Sequence, residues 1–581
     1  MNRKNKVLTT GGILTFILLS LACGGEKQTI ITGKIINSQN DSFSIGQHKV
    51  ELSQAGDFQH SILLVEPAYI LIDFGKELEL YVRPGDQLNL QIDAKAGLKS
   101  AETSGGPEEI NRFLIDLAVD SVESGEYFNK NFSKIVDLDE KSYVERVNSL
   151  WRPFEEKVEA FLETVKLKDL YFSKTLRASL LYSKASILLR YPDWHRSLTG
   201  DHAYHPSEEY ASFLRELDLN DPELIEQREY RSFLDDYLSY KTGELLRDRS
   251  LFVDLNYRPF RVELKVILES FSDPLIRSEM LYPFIVKLLG EYSHKGIEDF
   301  MQAFEENCTD PGYVTEVERL IAADTAIRDG CDIVTYKKAG DYELDVYIWK
   351  PADLKPGDKR PAVAFFHGGG WECGKPEWGQ MQGQHFAAAG YVSFSFEYRL
   401  KTQHGATPIE GLADTKSAIR WIRQHAEEFG IDPNRVVGSG YSAGGHLVMC
   451  TAMVEGYDEP YEDLSIDSAV DAMLLWVTPA KVFPGWFEQM LDGKGSLNDF
   501  DPDQLLRPDL SPMVFFQGTA DDTVPAWSVQ AFVKKSQAIG NRCDLHLYEG
   551  QTHLNWGKNA DDVLKKMDIF LESIGYFKSK I

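Results

Sequence analysis

The spacing of apolar residues changes twice along this chain. From Thr29 to Ile92 they fall in short β-rich runs: Thr29–Ile36, Lys49–Leu52, Phe58–Val65, Tyr69–Asp73, Leu78–Val82 and Gln87–Ile92. Turn residues separate the runs at Asn40-Asp41, Ala55-Gly56-Asp57 and Pro84-Gly85-Asp86, so this stretch is expected to form a small antiparallel sheet or sandwich. From about 105 to 325 the spacing becomes three and four. Ile110, Phe113, Leu114 and Leu117 share a face, as do Val158, Phe161, Leu162 and Val165, then Leu264, Ile267, Leu268 and Phe271, then Leu281, Phe284, Ile285 and Leu288. This predicts helices, broken at Pro153, Pro192, Pro222, Pro259 and Pro274. No fixed period repeats, so a solenoid is not expected.

From about 331, apolar strands alternate with helical runs. The strands are Leu344–Trp349, Ala362–Phe366, Val392–Phe396, Val436–Gly438, Ala472–Val477, Val514–Gln517 and Leu545–Tyr548. The helical runs are Gln380–Ala389, Ile409–Phe429, Trp527–Ile539 and Ala560–Ile574. Such alternation predicts an α/β domain, a mostly parallel sheet flanked by helices. The chain is thus multidomain: a leader over 1–22, a small all-β domain over 23–98, an all-α region over 99–328 and an α/β domain over 329–581.

Composition narrows the partners. A chain of 581 residues exceeds one ordinary core, and 43% hydrophobic residues indicate folded segments. The formal net charge of −28 disfavours nucleic acid, whose phosphates need Lys and Arg. The chain opens with Arg3, Lys4 and Lys6, then an apolar run from Val7 to Ala22, then Cys23. This reads as a signal peptide. Ser20-Leu21-Ala22-Cys23 resembles a bacterial lipoprotein cleavage box, with Ser20 where Leu is usual. The expectation is export, a lipid on Cys23 and tethering to a bacterial membrane. Without Cys23 five cysteines remain, an odd number with no C-x-x-C, so neither a disulfide framework nor a zinc site is expected.

The chemistry gathers at the ends of the late strands. Gly440-Tyr441-Ser442-Ala443-Gly444 follows a short β-branched run and precedes a helical one. Glycines in such a turn let it bend sharply enough to expose one serine as a nucleophile. His367-Gly368-Gly369-Gly370-Trp371 follows the strand ending at Phe366, and three glycines in a row leave backbone N–H groups free to meet an oxyanion. Asp521 follows the strand ending at Gln517, with Asp522 as its competitor, and His553 follows the strand ending at Tyr548. His446 and His546 are expected to be structural.

These motifs, with Glu397-Tyr398-Arg399-Leu400 and Gly430-Ile431-Asp432-Pro433 before Arg435, make residues about 330–577 resemble the α/β-hydrolase superfamily, and within it the hormone-sensitive-lipase-like, feruloyl- or acetyl-esterase-like branch. The resemblance implies a Ser442–Asp521–His553 triad in the chain order of that superfamily. It also implies that Gly369, Gly370 and Ala443 supply the oxyanion N–H groups and that His367 orients the loop. The Tyr81-Val82-Arg83-Pro84-Gly85-Asp86 turn loosely resembles the β-domain of exported thioredoxin-type lipoproteins.

The expected function is a serine carboxylesterase acting through an acyl-enzyme on short acyl or aryl esters, with carbohydrate esters among the candidates and no cofactor required. Pro479–Asp509 is long for a connection and is expected to cap the serine. Trp371, Tyr441, Trp486 and Trp556 are the candidate substrate contacts, with Trp378 also near a motif end. Two other readings remain open at this point: an exported serine peptidase of the prolyl-oligopeptidase type and a non-catalytic glycan-binding lipoprotein.

Overall fold

A computed structural model describes residues 26–164, 169–247 and 256–576. The basic start, the apolar run and Cys23 lie outside the described residues, as does Val165. The described residues gather into two compact units, one comprising those up to Glu244 with Ser270–Ile276, the other those from 245 to 269 and from Arg277 onward.

The first unit opens with eight strands: β1 (Lys27–Ile36), β2 (Ser42–Ile45), β3 (His48–Glu51), β4 (Asp57–Leu64), β5 (Ala68–Asp73), β6 (Glu77–Val82), β7 (Gln87–Asp93) and β8 (Glu102–Ser104). They form two four-stranded sheets, β4-β1-β7-β8 and β3-β2-β5-β6. Their inward residues, among them Ile31, Ile35, Phe43, Ile72, Leu80 and Leu90, share one core, so the arrangement is a sandwich. One pair departs from the antiparallel expectation, because β1 and β7 run parallel. Strand β2 was not anticipated. Ser-Phe-Ser-Ile alternates correctly but is only four residues long.

Helices α1 (Glu108–Lys130), α2 (Phe132–Val136), α3 (Glu140–Thr164), α4 (Leu170–Thr199) and α5 (Arg228–Arg247) follow. Edge strand β6 is closed by a side chain of α1. Fully buried Asn111 accepts from the Tyr81 N–H at 2.7 Å and donates to the Tyr81 carbonyl at 2.9 Å, satisfying two groups that a bare edge would leave open. Pro153 and Pro192 do not break the chain as expected; each sits inside a long helix, α3 and α4. Proline costs a helix interior about 3 kcal/mol, and helices of 25 and 30 residues offset that by burying a face.

The second unit contains α6 (Arg258–Ser270) up to Glu269, α7 (Pro274–Glu291) from Arg277, α8 (Glu298–Asn307), α9 (Pro311–Asp329) and an eight-stranded sheet. The hydrophobic pattern alone placed a domain start near 329, whereas the compact unit already includes the helices just before it. The strands are β9 (Asp332–Ala339), β10 (Tyr342–Trp349), β11 (Arg360–Phe366), β12 (Val392–Phe396), β13 (Ile431–Tyr441), β14 (Ala472–Trp476), β15 (Met513–Gly518) and β16 (Cys543–Tyr548), in the order β16-β15-β14-β13-β11-β12-β10-β9. The first six in that order pair in parallel, and β10 and β9 add an antiparallel edge.

Between and after these strands lie α10 (Gln380–Ala388), α11 (Lys401–His404), α12 (Pro408–Gln424), α13 (Ala443–Met453), α14 (Trp486–Leu491), α15 (Ala526–Ala538) and α16 (Ala560–Ser573). Neighbouring strand residues pack to opposite faces. Phe516 joins Phe386 of α10 and Met567 and Phe570 of α16, while Phe515 meets Phe532 of α15 with ring centres 5.8 Å apart. Both faces are therefore covered, which is why every residue of β15 is apolar or buried. Strand β9 escaped the sequence reading because it carries Lys337 and Lys338; Lys337 is in fact buried, its Nζ 2.6 Å from Asp414.

Candidate active site

The serine turn joins β13 to α13. Ser442 holds φ +52° and ψ −120°, a strained conformation that costs about 1–3 kcal/mol and projects the side chain beyond the sheet. The glycines around it are dictated by contact. A Cβ on Gly440 would lie 2.3 Å from the Gly445 nitrogen, and one on Gly444 would lie 2.0 Å from the Phe366 carbonyl oxygen. No side chain fits where strand and helix approach this closely.

The structure brings Ser442, His553 and Asp521 together. His553 Nε2 lies 3.0 Å from Ser442 Oγ, and His553 Nδ1 lies 2.9 Å from Asp521 Oδ2. All three residues are buried. Asp521 Oδ1 accepts from the backbone N–H of Thr523 at 3.0 Å and of Val524 at 2.7 Å, and Oδ2 accepts from Gln517 Nε2 at 2.9 Å. Burial alone would raise this carboxyl; the hydrogen bonds from His553, Val524 and Gln517 outweigh it and hold the group below the usual carboxylate range. Asp522 is exposed, and its carboxylate accepts from the Thr523 hydroxyl at 3.4 Å. The sequence reading missed Gln517. Its signal was a lone polar residue ending the apolar strand β15, just before the aspartate turn. Tyr441 also holds His553, since its hydroxyl donates to the His553 carbonyl.

The glycine loop faces the same serine. A Cβ on Gly368 would lie 3.3 Å from Ser442 Cβ. Gly369 and Gly370 have φ +98° and +63°, which turns the loop back on itself. The N–H groups of Gly369 and Gly370 meet no acceptor among the described residues. Neither does that of Ala443, the first residue of α13, which has no carbonyl one turn earlier to bond. These are the donors an oxyanion needs. His367 supports the loop from beneath, stacked on Tyr398 at 4.3 Å with Nδ1 2.9 Å from the Gly368 oxygen. Burial pushes its pKa down to about 4, so it is neutral. His446 is likewise pushed down to about 4 by burial and contacts the Phe500 carbonyl at 2.7 Å, a packing role. His546 stacks on Phe516 at 5.3 Å in β16, away from the serine.

Above the serine opens a cavity of about 770 Å³, lined largely by aromatic and aliphatic side chains. Trp371, Tyr441, Trp486 and Trp556 all border it, as does Trp378. The segment expected as a cap contributes one wall, through Val482, Phe483, Trp486 and Phe487. Trp486 closes over Gly370, whose Cβ position is 3.3 Å from the Trp486 ring, and Trp371 lies between Trp486 and Phe487 with ring centres at 5.6 and 5.0 Å. Cys308, Cys331, Cys373, Cys450 and Cys543 are free thiols. Burial pushes Cys331 up to about 11 and Cys373 and Cys543 up to about 12, so they are poor nucleophiles.

Comparison with known proteins accords with this geometry. The family model BD-FAE matches residues 344–535. That match falls within the unit that holds the eight-stranded α/β-hydrolase sheet. Esterase 2 of Thermogutta terrifontis is 39% identical over 43% of this chain and 97% of its own, with a TM-score of 0.42. A probable isoprenylcysteine alpha-carbonyl methylesterase of Arabidopsis thaliana is 27% identical over 36% of this chain and 48% of its own. Carboxylesterase NlhH of Mycobacterium tuberculosis is 29% identical over 25% of this chain and 52% of its own. The chain spans about half the length of the curated relatives it matches. These relatives are esterases by name.

Proposed function

We propose that the protein is a serine carboxylesterase that cleaves short acyl or aryl esters. One observation carries the reading: the hydrogen-bonded run Ser442–His553–Asp521 opens into an apolar cavity beside three unpaired backbone N–H groups. His553 Nε2 takes the Ser442 proton as Oγ attacks the ester carbonyl, and Asp521 stabilises the imidazolium that forms. Gly369, Gly370 and Ala443 hold the oxyanion. His553 then gives the proton to the leaving alcohol, and water repeats the sequence on the acyl-enzyme. The two four-stranded sheets of the first unit are not a propeller, which disfavours the prolyl-oligopeptidase reading.

The aromatic lining supports a flat or short acyl group, since π-faces pack well on such walls. We assign the alcohol to carbohydrate because the leader and Cys23 support export and lipid tethering, where glycan esters are met. The mass of the native amino-terminal peptide tests that tether, and an unlipidated chain still starting at Met1 would exclude it. The substrate test is a chain-length series of p-nitrophenyl esters beside acetylated xylan and methyl ferulate. Specificity, kcat/KM, is expected to fall beyond roughly six carbons as added methylenes run out of pocket. A steady rise through twelve carbons would show a lipase, and failure on acetylated xylan would remove the carbohydrate assignment.

A further inference from the structure

The glycine loop is not held by the sheet alone. Its first half is fixed on the sheet side, where the Tyr398 hydroxyl donates to the His367 carbonyl at 2.8 Å. Its second half is fixed by helices that precede the region matched by the family model. Gly374 donates its N–H to the Glu291 carbonyl at 3.0 Å. Lys375 Nζ donates to the Leu289 carbonyl at 2.7 Å and to both carboxylate oxygens of Asp324 at 2.8 and 2.9 Å. The Tyr292 hydroxyl donates to the Glu372 carbonyl at 3.3 Å. Leu289 and Glu291 end α7, so the loop supplies donors to carbonyls that the helix terminus leaves unpaired. Asp324 lies on α9.

Lys375 and Asp324 are 7% and 8% exposed. A lysine this buried needs its partners, and removing one leaves an uncompensated charge in the interior. The tie also reaches the oxyanion donors by a short path. The N–H groups of Glu372 and Cys373 donate to the Gly369 carbonyl at 3.0 and 3.1 Å. A Cβ on Gly374 would lie 2.1 Å from His367 Nδ1, so Gly374 cannot shift without moving the ring beneath the loop. From Lys375 back to Gly369 the loop is thus a closed turn clamped at its far end.

We propose that α7 and α9 are part of the catalytic apparatus, and that Lys375 is a positioning residue which, through Asp324 and the Leu289 carbonyl, holds the oxyanion loop in register with Ser442. This rests on the esterase reading. It gives the helical stretch before the hydrolase sheet a function, where the sequence pattern showed only packing.

The test compares Lys375→Met and Asp324→Asn with Arg420→Met. Arg420 is equally buried at 5%, paired with Asp458 and Glu462, and makes no bond to the loop. Folding is checked by circular dichroism, and kinetics with p-nitrophenyl acetate are run well below each variant's Tm. Affinity for a trifluoromethyl ketone, which mimics the oxyanion adduct, is measured alongside. Misplacing an oxyanion donor costs roughly 10- to 100-fold in kcat. Lys375→Met is expected to lose that much kcat with KM within about twofold, and to lose ketone affinity in proportion. Asp324→Asn keeps an acceptor for Lys375 and is expected to show a smaller loss of the same kind; it carries the test if Lys375→Met does not fold. Arg420→Met should lower Tm and leave both readouts unchanged. Folded Lys375→Met or Asp324→Asn protein with wild-type kcat, or with losses matched by Arg420→Met, would overturn the proposal. A wild-type protein that turns over no ester would overturn the esterase reading and this proposal with it.

Discussion

At the scale of single residues, position within a turn decides chemistry. Asp521 and Asp522 are adjacent, yet only Asp521 collects two backbone N–H groups, Gln517 and His553. Asp521→Asn is therefore expected to cost several orders of magnitude in kcat, as the base loses its orientation and its stabilising charge, while Asp522→Asn stays within about threefold. A purified-variant kinetic comparison decides it, and the reverse order would move the acid by one residue. Glu397 makes a different prediction. Its side chain is half-buried and its carboxylate accepts from the Asp345 N–H at 2.8 Å. Burial first, then the neighbouring charges of Asp345 and Glu377, push it up to about 7 against the lowering effect of the Asp345 N–H. A carboxyl raised on folding binds its proton more tightly in the native state, so it costs no stability below its unfolded value. The cost grows as pH rises from about 4.3 toward 7 and then levels off. Glu397→Gln keeps an acceptor and removes the charge. The Tm difference, variant minus wild type, should be larger at pH 8 than at pH 5; an equal difference at both would contradict the assignment.

At the scale of elements, the hydrolase strands were legible because six parallel strands covered on both faces read as continuous apolar runs, each followed by a glycine-rich or polar turn carrying chemistry. What was not legible has physical causes. Strand β9 disguises itself with two lysines, of which Lys337 is buried against Asp414 and Lys338 stays exposed beside Glu343. Pro153 and Pro192 look like stops but fall inside helices long enough to absorb them. The clamp at Lys375 is invisible in sequence, because a lysine 51 residues from its aspartate carries no local signal. The segment Pro479–Asp509 was expected as a cap, but its sequence does not show that Trp486 lies over Gly370. Trp486 is half exposed, so Trp486→Ala should leave Tm nearly unchanged. Its aromatic contacts are worth about 0.5–1.5 kcal/mol, so KM for an aryl ester should rise roughly two- to tenfold. kcat on p-nitrophenyl acetate should hold. A fall in acetate kcat with unaltered aryl KM would show that Trp486 supports the loop and does not contact substrate.

At the scale of the whole molecule, three textures of hydrophobic spacing announced a β region, a helical region and an α/β region, and the described residues contain all three. The division into compact units was harder to see. Helices α8 and α9 look like the rest of the helical stretch by periodicity, and only their contacts show that they gather with the hydrolase sheet. The four motifs stood out in the sequence because each follows a strand with its own turn chemistry, and the fold brings Ser442, the glycine loop, Asp521 and His553 together. The polar residues that hold those groups in place, Gln517 and Lys375, impose none.

The central claim is that Ser442 carries the acyl group. Its most direct test is mass spectrometry of the protein trapped with a fluorophosphonate, alongside Ser442→Ala. The expected result is one adduct per chain on the peptide containing Ser442, coincident loss of ester turnover, and a folded Ser442→Ala variant that takes no label and retains activity lower by several orders of magnitude. An adduct on another residue, or near wild-type turnover in Ser442→Ala, would contradict it.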